Sequence, residues 1–238
     1  MAQPKLSKKE LKEDEFLNTF ERAIRYVSHH PRLFLSIGVA LLLLIFAFTA
    51  ARIFFERYEA KAARALYAAN DTYRQNLSLI SEDSPLERRG VPDFERPLKL
   101  YQEVLRLFPR SKSAREALYQ SAECLYRLSR YDEAISAYEK YLQQARRGEL
   151  SVLAALGLGN CYEHKGQLDR AADVYASAIR NNPSDPLIGE VWVSLGRCQE
   201  AVGKKEEALK TYTEITERFA GSAWKLYAER KLLYLKAH

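Results

Sequence analysis

Glycine and proline are scarce, at 10 and 8 of 238 residues, while Ala, Leu, Glu, Lys and Arg are abundant. That balance favours helix over sheet. Only three cysteines are present, Cys124, Cys161 and Cys198, spaced far beyond any Cys-x-x-Cys pattern. His29, His30, His164 and His238 are not placed to join them, so no zinc site is expected. No glycine-rich phosphate loop appears. Charge of one sign is not concentrated either: the net charge is +6, but acids and bases are finely mixed after residue 52. A nucleic-acid partner is therefore not expected. Nor is a small-molecule substrate, a cofactor or an enzymatic reaction, since no reacting group has a partner in view. With 47% apolar and 29% charged residues, the chain has the composition of a folded protein.

Residues 33–51 contain no charge and are bracketed by Arg32 and Arg52. Nineteen helical residues span roughly 28 Å, close to the thickness of a bilayer core. Twelve of them are Leu, Ile, Val or Phe, which favours insertion by roughly 4–7 kcal/mol. A buried soluble helix would carry a polar stripe, and this run has none. The run is long for a cleaved signal, and no cysteine follows it to accept a lipid, so an uncleaved anchor is expected.

The tail before the anchor carries Lys5, Lys8, Lys9, Lys12, Arg22, Arg25 and Arg32, and the first turns after it carry Arg52, Arg57, Lys61 and Arg64. The short tail counts in full, which tips the expected orientation towards a cytoplasmic N-terminus. Ser7 and Glu10 have the spacing of a capping box, and Phe16, Leu17, Phe20, Ile24 and Val27 share one helical face. That face is expected to lie on the membrane surface, to meet a partner helix, or merely to feed the anchor.

Overlaying the chain on itself at a period of 37 aligns Ala122, Gly159 and Gly196; Ala134, Ala171 and Ala208; Tyr138, Tyr175 and Tyr212; and the three cysteines. A fixed period of this size indicates a solenoid of stacked units. Each unit is expected to be two antiparallel helices, with the second starting near Tyr131, Leu168 or Lys205. Asp132, Asp169 and Glu206 then sit favourably at the helix N-termini. Equivalent cysteines in stacked units lie about 10 Å apart, too far for a disulfide, and are expected as buried packing residues.

Trp192, Leu195, Gly196, Ala208, Tyr212 and Ala220, and likewise Leu158, Gly159, Tyr162, Ala171, Tyr175, Ala178 and Pro183, resemble the tetratricopeptide repeat. Leu118, Ala122, Leu125, Ala134, Tyr138 and Tyr141 make a third unit. Gln199 stands where an aromatic is usual in that family, and Arg146 where Pro is usual. Leu98, Tyr101, Val104, Leu105 and Phe108 mark one further second-type helix. Phe108-Pro109-Arg110-Ser111 is echoed by Phe219-Ala220-Gly221-Ser222. The expected fold is all-α, with a single transmembrane helix followed by a solenoid of about four pairs. Its parts are a tail over 1–32, an anchor over 33–51, and a juxtamembrane helix, polar loop and degenerate first repeat over 52–111. Three repeats follow over 112–222 (about 115–148, 152–185 and 189–222), then a capping helix over 223–238 carrying Trp224, Leu226, Tyr227, Leu232 and Leu233.

In that family the first helix of each unit lines a protein-binding groove. The resemblance therefore implies Glu116, Tyr119, Glu123 and Tyr126, then Leu153, Leu156, Asn160 and Glu163, then Glu190, Val193, Arg197 and Glu200 as groove candidates. Only Asn160 and Arg197 resemble the Lys, Asn and Arg set that clamps peptide carboxylates in some members. An extended segment with apolar and basic residues is the better expected ligand. The remaining acidic residues are expected on a solvated face.

The layout of tail, anchor and repeats also resembles the YfgM-type bacterial inner-membrane proteins. That resemblance implies a periplasmic domain assisting exported proteins near the translocon, as an ancillary chaperone or scaffold. The alternative is a structural or assembly subunit of a secretion, motility or outer-membrane biogenesis complex. Ser36, Gly38 and Ala40 would then offer other membrane helices a small-residue face.

Overall fold

The computed structural model describes residues 30–79, 91–145 and 147–237. The expected tail helix, residues 80–90 of the polar loop, and Arg146 lie outside the described residues. All regular structure among the described residues is helical: α1 Pro31–Ser78, α2 Glu95–Leu107, α3 Lys112–Arg127, α4 Tyr131–Gln144, α5 Ser151–His164, α6 Leu168–Asn181, α7 Ile188–Ala201, α8 Lys205–Arg218 and α9 Ala223–Ala237. The chain divides into two compact units, residues 1–57 and 58–238.

In the first unit, every described side chain of α1 is exposed, among them Leu42, Leu44, Phe46 and Phe48. The helix is long and apolar enough to cross a membrane, and none of its most apolar window is buried by protein. The two hydroxyls in that stretch are satisfied locally: Ser36 donates to the Leu33 carbonyl at 2.8 Å and Thr49 to the Phe46 carbonyl at 2.9 Å. Internal satisfaction of this kind is what a hydrocarbon environment demands.

From Tyr58 onward the pattern on α1 changes. Ala62, Leu66, Ala69 and Tyr73 are buried at spacings of three and four, the mark of a one-faced helix. That face meets α2 through Tyr73 against Phe94 and Tyr101. Asn70 ties the contact, accepting from the Tyr101 hydroxyl at 2.7 Å and donating to Glu116 at 3.0 Å. The Glu59 carboxylate accepts from the first amides of α3, Lys112 and Ser113. An acid from another helix thus joins Ser111 in capping this one.

Three helix pairs follow, α3–α4, α5–α6 and α7–α8, with α9 packed on α8. The second helices begin at Tyr131, Leu168 and Lys205, each with an acid in the first turn. The acids of this register do more than face a helix dipole. Glu95, Asp132 and Asp169 each receive a cation from a neighbouring unit: Arg130 at 3.1 Å, Lys165, and Lys204 at 2.9 Å. Such exposed bridges are screened by solvent, so they set register more than they stabilise.

The core is carried by the repeated residues. Tyr138, Tyr175 and Tyr212 are wholly buried, as are Ala134, Ala171 and Ala208. Glycine is required where a first helix meets a buried ring of its partner, as two positions show. A Cβ on Gly159 would lie 2.2 Å from the Tyr175 ring, and one on Gly196 would lie 2.6 Å from the Tyr212 ring. The three cysteines are free and buried, and burial pushes each thiol up to about 12. On α9, Leu226 and Leu233 are 64% and 72% exposed. Trp224, Ala228, Leu232 and Leu235 take the face against α8 instead.

Candidate functional site

The first helices α3, α5 and α7 place Tyr126, Asn160, Glu163, His164 and Arg197 around one shallow concavity. A neighbouring concavity is lined by Glu200, Tyr227, Arg230, Lys231 and Tyr234. Five of the sequence-derived candidates, Tyr126, Asn160, Glu163, Arg197 and Glu200, are therefore brought to open surface. Glu123 is half-buried one step away.

The others sit elsewhere. Tyr119 and Leu156 are only 8% exposed, and Tyr119 stacks on Tyr138 and Tyr141. They belong to the core because α4 and α6 cross over them. Leu153 and Val193 are half-buried and pack against core residues.

The acids of this face are not simply solvated. Each accepts a hydrogen bond from a buried phenol: Tyr138 donates to Glu123 at 2.5 Å, Tyr175 to Glu163 at 2.7 Å and Tyr212 to Glu200 at 3.1 Å. Tyr175 is also 3.1 Å from Asn160, which occupies the register of Glu123 one repeat later. The arrangement resolves a physical conflict. A large ring is needed to fill the crossing, and its hydroxyl must not be left unpaired. Burial first, then the neighbouring carboxylate, drives the Tyr138 and Tyr175 phenols well above their ordinary range. They remain neutral donors.

Two acids are also neutralised within the face. Arg197 donates to the second oxygen of Glu163 at 2.8 Å, and Lys231 reaches Glu200 at 2.9 Å. Burial lowers the Arg197 guanidinium, but Glu163 outweighs this and leaves it raised. An arginine committed in this way is poorly placed to clamp an incoming carboxylate. Replacing Tyr175 with Phe keeps the ring and deletes the donor to Glu163 and Asn160. A loss of about 1.5 kcal/mol is expected, as for a hydrogen bond to a charged group, read as a lower urea midpoint at unchanged helicity.

The sequence did not identify His164 or Lys231 as part of this face. His164 stacks on Tyr131 at 4.9 Å and 7°, with its Nε2 3.0 Å from the Tyr126 hydroxyl. Neither residue recurs at the repeat period, so no internal alignment could signal them. A second groove, of about 440 Å³, lies between α4 and α6 over α5, with Ala155, Leu158 and Ala178 among its apolar lining. One period on, Trp192 stands where Ala155 does, with Arg218 stacked over it. No group of three His, Cys, Asp or Glu among the described residues could hold a metal ion.

Comparison with known proteins agrees with this architecture. Models of the tetratricopeptide repeat match residues 113–184 and residues 190–222. A TPR repeat-containing protein of Treponema pallidum is 24% identical over 103 residues, covering 43% of each chain. This chain thus spans less than half the length of that curated relative. A Podosopora anserina kinesin light chain with nearly identical TPR-like repeats superposes with a TM-score of 0.56 at 12% identity, covering 73% of this chain and 86% of its own. MamA, from residue 41, of Desulfovibrio magneticus RS-1 gives 0.50 at 16% identity, covering 71% and 84%. These structures share the fold.

Proposed function

We propose that these tetratricopeptide repeats, a protein-interaction module, hold an extended segment of a partner protein along α3, α5 and α7, with residues 33–51 fixing the module at a membrane. The observation that carries this reading is the concavity of Tyr126, Asn160, Glu163, His164 and Arg197, which spans three consecutive units. Tyr126 offers an amphipathic ring. Glu163 and Glu200 are matched by Arg197 and Lys231, whereas Glu116 and Glu123 have neutral donors, Asn70 and Tyr138. The uncompensated acid lies towards α3, which favours a segment with apolar and basic side chains over one ending in carboxylates.

The finer reading is a periplasm-facing module that assists exported proteins close to the translocon. It is supported by the order of the parts, an apolar helix followed by repeats. Tethering raises the groove's effective concentration at the membrane surface.

The test is a photo-cross-linking residue placed in the full-length protein in cells, at Asn160 or, as reference, at the exposed Lys140 on α4. Adducts that form at position 160, and fall about tenfold when Tyr126→Ala and Arg197→Glu are added, are expected. Equal labelling at 160 and 140 would sink the groove. Protease protection of a tag after residue 238 in sealed vesicles tests the compartment separately. Accessibility from the cytoplasm would remove the export reading.

A further inference from the structure

The helix α9 packs on α8 through Trp224, Tyr227, Ala228, Leu232 and Leu235. Its opposite face carries Leu226, Glu229, Arg230 and Leu233, all exposed. From residue 58 onward the large apolar side chains left exposed among the described residues are Tyr67, Val91, Leu107, Leu226, Leu233 and Tyr234. Three of the six sit on this one fifteen-residue helix. Among the described residues no further helix stacks on α9, and a helix so placed ordinarily presents a polar face. Here Leu233 occupies the register of Ala122, Gly159 and Gly196, the positions that other first helices turn towards a covering helix.

The stripe is self-complementary. If two copies of α9 lie antiparallel about a two-fold axis between residues 229 and 230, residue 226 stands level with 233 and residue 229 with 230. Leucine then meets leucine at both ends, and Glu229 meets Arg230 twice across the centre. A two-fold contact needs one patch that matches itself. Among the described residues Glu229 pairs with Lys225 at the long distance of 3.7 Å, which leaves its carboxylate able to take a shorter partner.

We infer that this face of α9 is a docking site for a second copy of the chain, joining two modules through an antiparallel helix pair. The contact is small: fifteen residues give a helix of roughly 22 Å, below the usual size of a permanent interface. Lys225 and Lys236 flank the stripe and add like charge at the rim. A reversible dimer with a dissociation constant on the order of 10 μM is expected.

The experiment is sedimentation equilibrium of the full chain in density-matched detergent, with helicity and melting followed in parallel. Glu229→Arg alone sets Arg against Arg twice, and Arg230→Glu alone sets Glu against Glu twice. Each is expected to weaken the dimer at least about tenfold. The doubly exchanged chain restores both pairs and is expected to recover wild-type association. Mixing the two single variants makes a heterodimer tighter than either homodimer. Leu226→Glu should also dissociate the pair without loss of helicity. A wild-type chain that stays monomeric at about 100 μM overturns the inference, as when a different protein covers this face. So does a dimer indifferent to the three disruptive variants, or an exchanged chain that fails to recover.

Discussion

Replacing Gly159 with alanine is expected to lower the unfolding free energy by about 3 kcal/mol, within the range of overpacked cores. One added methyl would stand 2.2 Å from the Tyr175 ring. That ring cannot swing away. It is fully buried, and its hydroxyl is held by Glu163 and Asn160. Alanine's better helix propensity returns only about 1 kcal/mol. Gly166 supplies the contrast. It has open space around its missing Cβ but a φ of +71°, so alanine there should cost only about 1 kcal/mol, from the backbone alone. Urea titration of both variants checks the difference. Adding Tyr175→Leu to Gly159→Ala should recover part of the loss, since the shorter side chain vacates the clash. If the two costs are equal, or the double variant is no better than the sum of the singles, the crossing is not set by this contact.

Raising the pH above about 9 should destabilise the repeats progressively, as the pH climbs towards about 12. The three cysteines ionise near 9 when unfolded, but burial holds them at about 12 in the fold. The buried tyrosines ionise near 10 when unfolded and are driven higher still in the fold. The sign follows from which state holds the protons. A folded pKa raised above the unfolded one gives a stability fully present below the unfolded value. It is lost as pH climbs towards the folded value. Each such group removes about 1.4 kcal/mol per pH unit in that window. The urea midpoint, followed by circular dichroism under reducing conditions, should show no contribution from these groups below pH 9 and then fall steeply. Replacing Cys124, Cys161 and Cys198 together with Ala should shallow the decline between pH 9 and 10, before the tyrosines contribute. An unchanged slope there would show that the thiols are not protected by burial.

Much of this was readable in the residues themselves. A period of 37 requires like residues to meet like environments, and Tyr138, Tyr175 and Tyr212 are indeed equally buried. The echo between residues 108–111 and 219–222 reappears as two matching caps, in which Ser111 and Ser222 each accept from the amide three residues on. The apolar run carries no polar stripe, and in the structure no described side chain of residues 31–57 is buried.

Spacing does not state which neighbour a side chain meets across a crossing. Glu123, Glu163 and Glu200 look like ordinary surface acids because nothing local marks them. Their partners are tyrosines 12 to 15 residues away on another helix. Tyr119 and Leu156 fall on the first-helix face by count but are covered once α4 and α6 lie over them. His164 and Lys231 join the concave face without repeating. Leu226 and Leu233 look like core residues by type, yet are turned away from α8. The sequence by itself therefore determined the helices, their pairing and the repeated core, because these follow from periodicity along the chain. Only the tertiary structure decided which polar groups pair and which apolar faces stay open, because these depend on how helices distant in sequence cross.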